Sequence, residues 1–520
     1  MKKKLVSILT AGAVATMTLA GCGGSSNTAT GEEETASAET SKDAAGSEEG
    51  TSEAAIDMSE EPYEIAVQFI GLNESNNDLE AVEAAINEIT LEKINATVDL
   101  QPLFIGDMGT TTSMGIAGGE KMDIVTVGLV YAMSSAVKDG VLLELDDLIA
   151  ERGSAISEVC SNVEAAQKIN GKTYAVSGYP YPAVAGGFVY NKTVADKLGL
   201  DMHDGMTIDD LTAVGETLKE NGMYLTSFSN SSQLNFKFMN SVDVYGASGD
   251  YGVVMDPSND TTVENVFATD EFKHYCETVK TWFDNGYLPE DQMTDTTSVQ
   301  QHFANQKVFG TSTAYTPDQI AIWTNPDFET GIVSMSNPII QTSFAQEMML
   351  GIAATSERPD KCMDLINLIY SDTDVANLFN YGIEGTDYVA VDGTDNVITY
   401  DGTANADHSG YYTSFMHFGN PTTRHIVAPL TDEYVNDLEA FNDSAVVSKA
   451  FGYAFDAEAY STQAAGISAV LAEQLPLLNA GQVEDVDAAI EKLVGDLQTA
   501  GIDEVIAVNQ EQLDAYLAGN

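Results

Sequence analysis

The residue types that could do covalent chemistry are present in this chain, but their spacing argues against each use. Gly171-Lys172-Thr173 ends like a phosphate-binding loop, in which glycines let backbone amides cradle phosphate. Ala166 stands where the first glycine is required, so the segment reads as a turn. Gly246-Ala247-Ser248-Gly249-Asp250 misses the G-x-S-x-G spacing of a nucleophile elbow by one residue. Paired carboxylates would suit glycoside hydrolysis. With 80 Asp and Glu in 520 residues, however, carboxylates fall near one another by chance, and no pair is singled out. The six His are scattered and no C-x-x-C or H-x-x-x-H spacing occurs, so no metal set is expected. Asp392 to Asn396 fits a surface turn better than a calcium loop. No nucleophile–base set and no cofactor motif stand out, and an enzyme is not expected.

One cysteine has a different chemistry in prospect. Met1-Lys2-Lys3-Lys4 is a basic start, Leu5 to Ala20 is an apolar core too short to span a bilayer, and Leu19-Ala20-Gly21-Cys22 closes it. The ending resembles a bacterial lipobox, after which Cys22 is acylated and becomes the mature N-terminus. Residues 1–21 are therefore expected to be a lipoprotein signal peptide. Gly23 to Glu61 lacks aromatic residues and is mostly Gly, Ser, Thr, Ala and Glu. Such a stretch cannot bury enough apolar surface to offset its ordering entropy, and residues 22–61 read as an acidic tether. As a flexible coil it would reach about 35 Å.

The remainder is long enough for two packed lobes. Hydrophobic residues make up 44% of the chain, a globular share, and no later run is long enough for a membrane span. Net charge is −58, most of it beyond Glu61, which weighs against nucleic acid and anionic membranes as partners. After Cys22 only Cys160, Cys276 and Cys362 remain, widely spaced. The fold does not depend on a disulfide framework, although one pair could form.

The elements that would position a site begin with an alternation of strand and helix. Ile65, Val67 and Phe69 alternate as in a strand, and Leu79, Val82, Ile86 and Ile89 recur at helical spacing behind Asp78. Ala96 to Leu100 reads as a second strand. Thr111 to Gly118 reads as a helix, and Asp123 to Val127 as a third strand ending at Gly128. This order predicts an α/β fold with a mostly parallel sheet, whose ligands bind beyond the strand C-termini. Those loops are Gly71–Asn77 and Gly128–Met133. Gly171 to Val176 and Gly187 to Asn191 look like the two arms of a hairpin, with Tyr179-Pro180-Tyr181-Pro182 between them. Trp282 sits at a helix end stopped by Gly286 and is expected in the core, as is Tyr190. Residues 462–517 read as helical, with Ile490, Leu493, Val494 and Leu497 on one apolar face.

Several segments resemble one family. Asn87 to Val98, Gly119-Glu120 before Asp123-Ile124, and Gly140 to Leu148 follow the first β-α-β unit and crossing of bacterial family 1 extracellular solute-binding proteins, in the LplA-like lipoprotein branch. Asn170-Gly171-Lys172-Thr173-Tyr174-Ala175 with Tyr190-Asn191-Lys192, then Tyr381 to Tyr388, Phe418-Gly419-Asn420 and Gly452 to Asp456, continue the likeness in order. The chain departs from the pattern at Pro421 to Arg424 and around Tyr179 to Gly187.

The resemblance implies a two-lobe periplasmic-binding-protein-like fold with a hinge and an interlobe ligand cleft. Lobe one would be 62–148 plus 346–388, and lobe two 149–345 plus 389–520 with the C-terminal helices. It further implies a monomeric carrier that meets the membrane only through a lipid anchor on the outer face of the cell and hands its ligand to the transmembrane subunits of an ABC permease. A sugar pocket needs flat apolar faces and amide, carboxylate or guanidinium partners for hydroxyls. By loop placement the candidates are Asn73 and Glu74 after the first strand, Tyr131 after the third, and Tyr179 and Tyr181 on the hairpin. Tyr245, Tyr315, Trp323, Gln346, Glu347, Phe418 and Arg424 complete the set. The expected ligand is an oligosaccharide. The alternatives are a peptide or small acid on the same fold, for which Arg424 could pair with a carboxylate, and a secreted glycan-active hydrolase.

Overall fold

The computed structural model describes residues 55–71, 78–129, 131–228, 231–407, 409–413 and 418–519. The expected signal peptide, Cys22 and most of the expected tether lie outside these residues, as do Asn73 and Glu74.

The chain forms the strands β1 (Tyr63–Gly71), β2 (Ala96–Phe104), β3 (Ile124–Gly128), β4 (Ala175–Ser177), β5 (Ala183–Asn191), β6 (Gly310–Tyr315), β7 (Thr330–Ser334), β8 (Ile339–Ile340), β9 (Met348–Ile352) and β10 (Val446–Val447). Two five-stranded sheets result. The first has the order β2-β1-β3-β9-β4, and the second β6-β5-β8-β10 with β7 also paired to β5. β1, β2 and β3 are parallel, with Tyr63 opposite Ala96 and Gly71 opposite Phe104. β9 runs antiparallel to both β3 and β4, so the expected mostly parallel sheet is mixed. Helices cover the first sheet, which is why β1 is buried continuously from Ile65 to Gly71 despite its alternating start.

Each sheet has its own core. Val82 and Ile86 of the helix Leu79–Ile94 pack on the first, together with Ile366 and Ile369 of the helix Pro359–Ser371 and Phe379 of the next helix. The second core gathers Phe188 of β5, Trp282 and the C-terminal helices Ser461–Asn479, Val486–Ala500 and Ile502–Gly519. Trp282 is fully buried, and its indole donates to Thr212 Oγ1 at 2.8 Å. Tyr190 packs on Phe309 with ring centroids 5.7 Å apart. Cys160, Cys276 and Cys362 are buried free thiols.

Three features differ from the sequence-based expectation. The supposed hairpin does not exist: β4 joins the first sheet and β5 the second, so Tyr179 and Tyr181 lie on a crossover between sheets. Ile156, Val163 and Val176, and later Tyr411 and Phe418, pack into the first core rather than the second, where the expected division placed them. The last part of the expected tether is docked. Asn95, in the left-handed region at φ 50°, donates its side-chain amide to the carbonyls of Asp57 and Glu60 at 3.0 Å each. Arg358 clamps the Glu60 carboxylate with two bonds of 3.0 Å, and buried Lys361 reaches it at 3.2 Å.

The two sheets are joined by residues 178–182 between β4 and β5 and 341–347 between β8 and β9, and a third crossing, 428–445, leads into β10 from a separate small sheet that ends at Ile426–Val427.

Candidate functional site

A cavity of about 560 Å³ opens between the two sheets. Gly128, Leu129, Ala132 and Met133, beyond the C-terminal end of β3, form one wall. The opposite wall is Val184 to Gly186 of β5, Ala314 of β6 and the segment carrying Gln233, Lys237, Phe238, Asn240 and Ser241. Gln341, Ser343, Phe344, Gln346 and Glu347 of the middle crossing add to the lining, as do Val244 and Gly246 on either side of Tyr245.

Two glycines make this arrangement possible. Gly128 has φ +126°, and a Cβ there would stand 2.3 Å from the backbone oxygens of Gln346 and Glu347. Its absence lets Leu129 N–H reach the Glu347 carbonyl at 2.7 Å, which ties the end of β3 to the middle crossing and fixes where Glu347 points from. At Gly186 a Cβ would stand 2.4 Å from the Phe238 oxygen. The turn Asn235–Phe238 can therefore lie directly on β5 and carry Lys237 to the cavity wall.

Two of the polar lining groups, Lys237 and Glu347, are charged, and they differ in sign. Gln346 donates its side-chain amide to the Ala166 carbonyl at 2.8 Å, which orients it. Burial raises the Glu347 carboxyl above its ordinary range, with Lys237 opposing and Asp318 adding to the shift. Burial lowers the Lys237 ammonium, against the pull of Glu347 and Asp250. The Lys237 Nζ lies 5.1 Å from the centroid of the Phe238 ring, within cation–π range. The apolar faces on offer are Phe238, Phe344 and Leu129, and Leu129 is one of the few large apolar side chains left exposed among the described residues.

Of the residues singled out from the sequence, Gln346 and Glu347 line the cavity. Asn73 and Glu74 lie outside the described residues, and the remaining candidates fall elsewhere, each for a visible reason. Tyr179 stands behind the wall, its ring 5.2 Å from that of Phe344. Tyr181 is half-buried on the first crossing and is raised by burial and by Glu439 and Asp443 of the third. Tyr315 follows the lining residue Ala314 but turns to Phe441, with centroids 5.4 Å apart. Tyr245 sits between lining residues and packs edge-on against Tyr453 at 5.6 Å. Tyr131 is buried under Gly109 and donates to Asp139 Oδ2 at 2.8 Å. Trp323 is part of a small core with Phe303 and Phe328, its ring 5.6 Å from Phe303. Phe418 is buried in the first core. Arg424 is buried too, and its Nη1 donates to Asn380 Oδ1 at 3.3 Å and the Phe418 carbonyl at 3.4 Å. For Tyr131, Trp323 and Phe418 the expectation of a cleft-facing side chain is corrected to packing.

Sequence reasoning missed Lys237, Gln233, Asn240, Gln341 and Phe344. The one available signal was Phe236-Lys237-Phe238, a cation between aromatics in a segment without periodicity. Among the described residues no cluster of His, Cys, Asp and Glu could hold a metal ion.

Residues 84–401 match a sequence profile described as bacterial extracellular solute-binding protein, and residues 449–518 match a domain of unknown function. A carbohydrate ABC transporter substrate-binding protein of Streptococcus pneumoniae serotype 4 (strain ATCC BAA-334 / TIGR4) is 26% identical over 485 residues, covering 91% of this chain and 95% of the relative. The crystal structure of the N-glycan transport solute binding protein NgtS from Streptococcus pneumoniae superposes with a TM-score of 0.76 at 22% identity, covering 88% of this chain and 99% of that one. NgtS in complex with Man1GlcNAc gives 0.67 at 23% identity over the same shares. An extracellular solute-binding protein from Bifidobacterium longum subsp. infantis gives 0.58 at 15% identity, covering 88% and 99%. These likenesses carry the two-lobe α/β architecture.

Proposed function

The chain belongs to the bacterial extracellular solute-binding proteins, and from that premise we propose that it captures a carbohydrate, an oligosaccharide, between its lobes and delivers it to the membrane subunits of an ABC importer. The observation that carries the reading is the cavity wall itself. Amides at Gln233, Asn240, Gln341 and Gln346 and the charges of Lys237 and Glu347 are interleaved with the flat faces of Phe238 and Phe344. Sugar rings offer the complement, with apolar C–H faces and a rim of hydroxyls. The relative named for carbohydrate transport and the NgtS complex with Man1GlcNAc support the same class.

In this reading the first lobe is residues 55–177 plus 348–427 and the second is 183–340 plus 446–519, closing about the three crossings. Gln346, Glu347 and Lys237 contact the ligand, while Tyr179 and Phe344 shape the wall. No bond is made or broken. The protein works as a monomer at the outer face of the cell membrane, held by an acylated Cys22. No helix among the described residues is long and apolar enough to cross a membrane.

Isothermal titration of the mature protein against purified neutral oligosaccharides, Man5GlcNAc first, with short peptides and small acids as controls, tests the proposal. Saturable binding of one glycan series, recovered intact, is the expected result. Heat only with a peptide or acid moves the ligand class, and recovery of a cleaved glycan overturns the carrier role.

A further inference from the structure

Lys237, from the second lobe, and Glu347, from the middle crossing, both line the cavity, and each acts on the charge of the other. Lys237 arrives on the turn that Gly186 admits to β5, and Glu347 on the crossing that Gly128 admits to β3. Two more carboxylates act on the pair through their charge, Asp250 on Lys237 and Asp318 on Glu347. Those two are occupied within the protein. Asp250 accepts from Ser248 N–H at 2.8 Å and Ser468 Oγ at 3.1 Å, and Asp318 accepts from Thr316 Oγ1 at 2.6 Å. Lys237 and Glu347 have no such partner among the described residues, although both are half-buried. The cavity thus presents one donor-only and one acceptor-only group, partly stripped of water, on a common lining.

An ammonium can only donate and a carboxylate can only accept, whereas a hydroxyl does both. Two adjacent hydroxyls of a sugar ring can accept from Lys237 and donate to Glu347 without adding charge. A ligand carboxylate in that position would gain Lys237 but stand against Glu347, Asp318 and Asp250, where partial burial weakens screening. We propose that Lys237 and Glu347 together select an uncharged sugar unit, its neighbouring hydroxyls bridging the ammonium and the carboxylate within the cavity, and that they refuse a unit bearing a carboxylate. The proposal rests on the carbohydrate reading and narrows it.

The test is titration of the mature protein with the neutral glycan of the panel that binds best and with its counterparts oxidised to a uronic acid at single units. Wild type binds the neutral glycan at least about 100-fold more tightly than one of these counterparts. Lys237→Met and Glu347→Gln each weaken neutral binding by about 10-fold or more, as for a lost bond to a charged group. The double variant loses less than the product of the two, Glu347→Gln narrows the rejection of the uronic counterpart, and Lys237→Arg preserves it. Thermal unfolding of each variant separates loss of the site from loss of the fold. If wild type binds neutral glycan but the variants stay within twofold with unchanged discrimination, the selector role is overturned and the carbohydrate reading stands. If wild type binds no sugar and does bind a peptide or acid, the reading falls and the selector with it.

Discussion

Gly128 and Glu347 meet backbone to backbone, so closely that a Cβ on residue 128 would stand 2.3 Å from the Glu347 carbonyl oxygen. The contact joins the C-terminal end of β3 to the crossing that carries Glu347 to the cavity. Gly128→Ala forces an L-residue to φ +126° and pushes that crossing away. The variant is expected to unfold with about 1–3 kcal/mol less free energy and to bind ligand more weakly. Urea unfolding and titration read the two effects, and an unaltered midpoint with unaltered affinity would show that the contact is not tight.

Asp243 gives the fold a pH dependence of unusual sign. Its carboxyl is buried and receives a hydrogen bond from Ser448, and burial raises it to about 6. Because the folded value lies above the unfolded one, the protonated carboxyl favours the folded state. That contribution is fully present below about pH 4 and is lost as pH rises through about 6. The loss is of order 3 kcal/mol. Asp243→Asn, which cannot ionise, removes it. Denaturant unfolding at pH 4.5 and pH 7 should find the variant gaining on wild type at the higher pH, and a constant difference would falsify the assignment.

The docked segment Ile56–Glu61 depends on a charge clamp. Arg358→Ala leaves the Glu60 carboxylate without its two-pronged partner, while Asn95 still holds the carbonyls of Asp57 and Glu60. Faster amide hydrogen exchange is expected through this segment and not in the cleft. Exchange rates matching those of wild type would mean that Asn95 and Lys361 hold the segment unaided.

Aromatic rings on and behind the wall should separate by affinity. Phe344 lines the cavity, whereas Tyr181 and Trp323 do not. Phe344→Ala is expected to weaken glycan binding by about tenfold or more, with Tyr181→Ala and Trp323→Phe close to wild type. Equal losses at Phe344 and Tyr181 would extend the binding surface along the first crossing.

The sequence carried much of the first sheet and little of the site. Ile65, Val67 and Phe69, the apolar repeat from Leu79, and the run Asp123 to Val127 each mark an element through local periodicity, and each element is present. The C-terminal helices were legible for the same reason, with Leu493 and Leu497 fully buried as their spacing requires. Gln346 and Glu347 could be found because they precede an obvious apolar strand. Lys237 left only the faint mark of a cation between Phe236 and Phe238, because it is the contact of its turn with β5 at Gly186 that brings it to the cavity. The tyrosine-rich stretch misled for a physical reason. A ring that would suit a sugar also suits a hinge, and Tyr179 spends its face on Phe344.

β9 is the fourth strand of the first sheet, placed between β3 and β4, yet it follows β3 by about 220 residues of chain. Until that strand exists, β3 presents a bare edge, and the segment that ends at β4 has nothing to pair with. The order of synthesis is therefore not the order of assembly. The first lobe cannot finish before most of the second has been made, and the second must wait for helices at the very end of the chain. Such long-range closure makes folding slow.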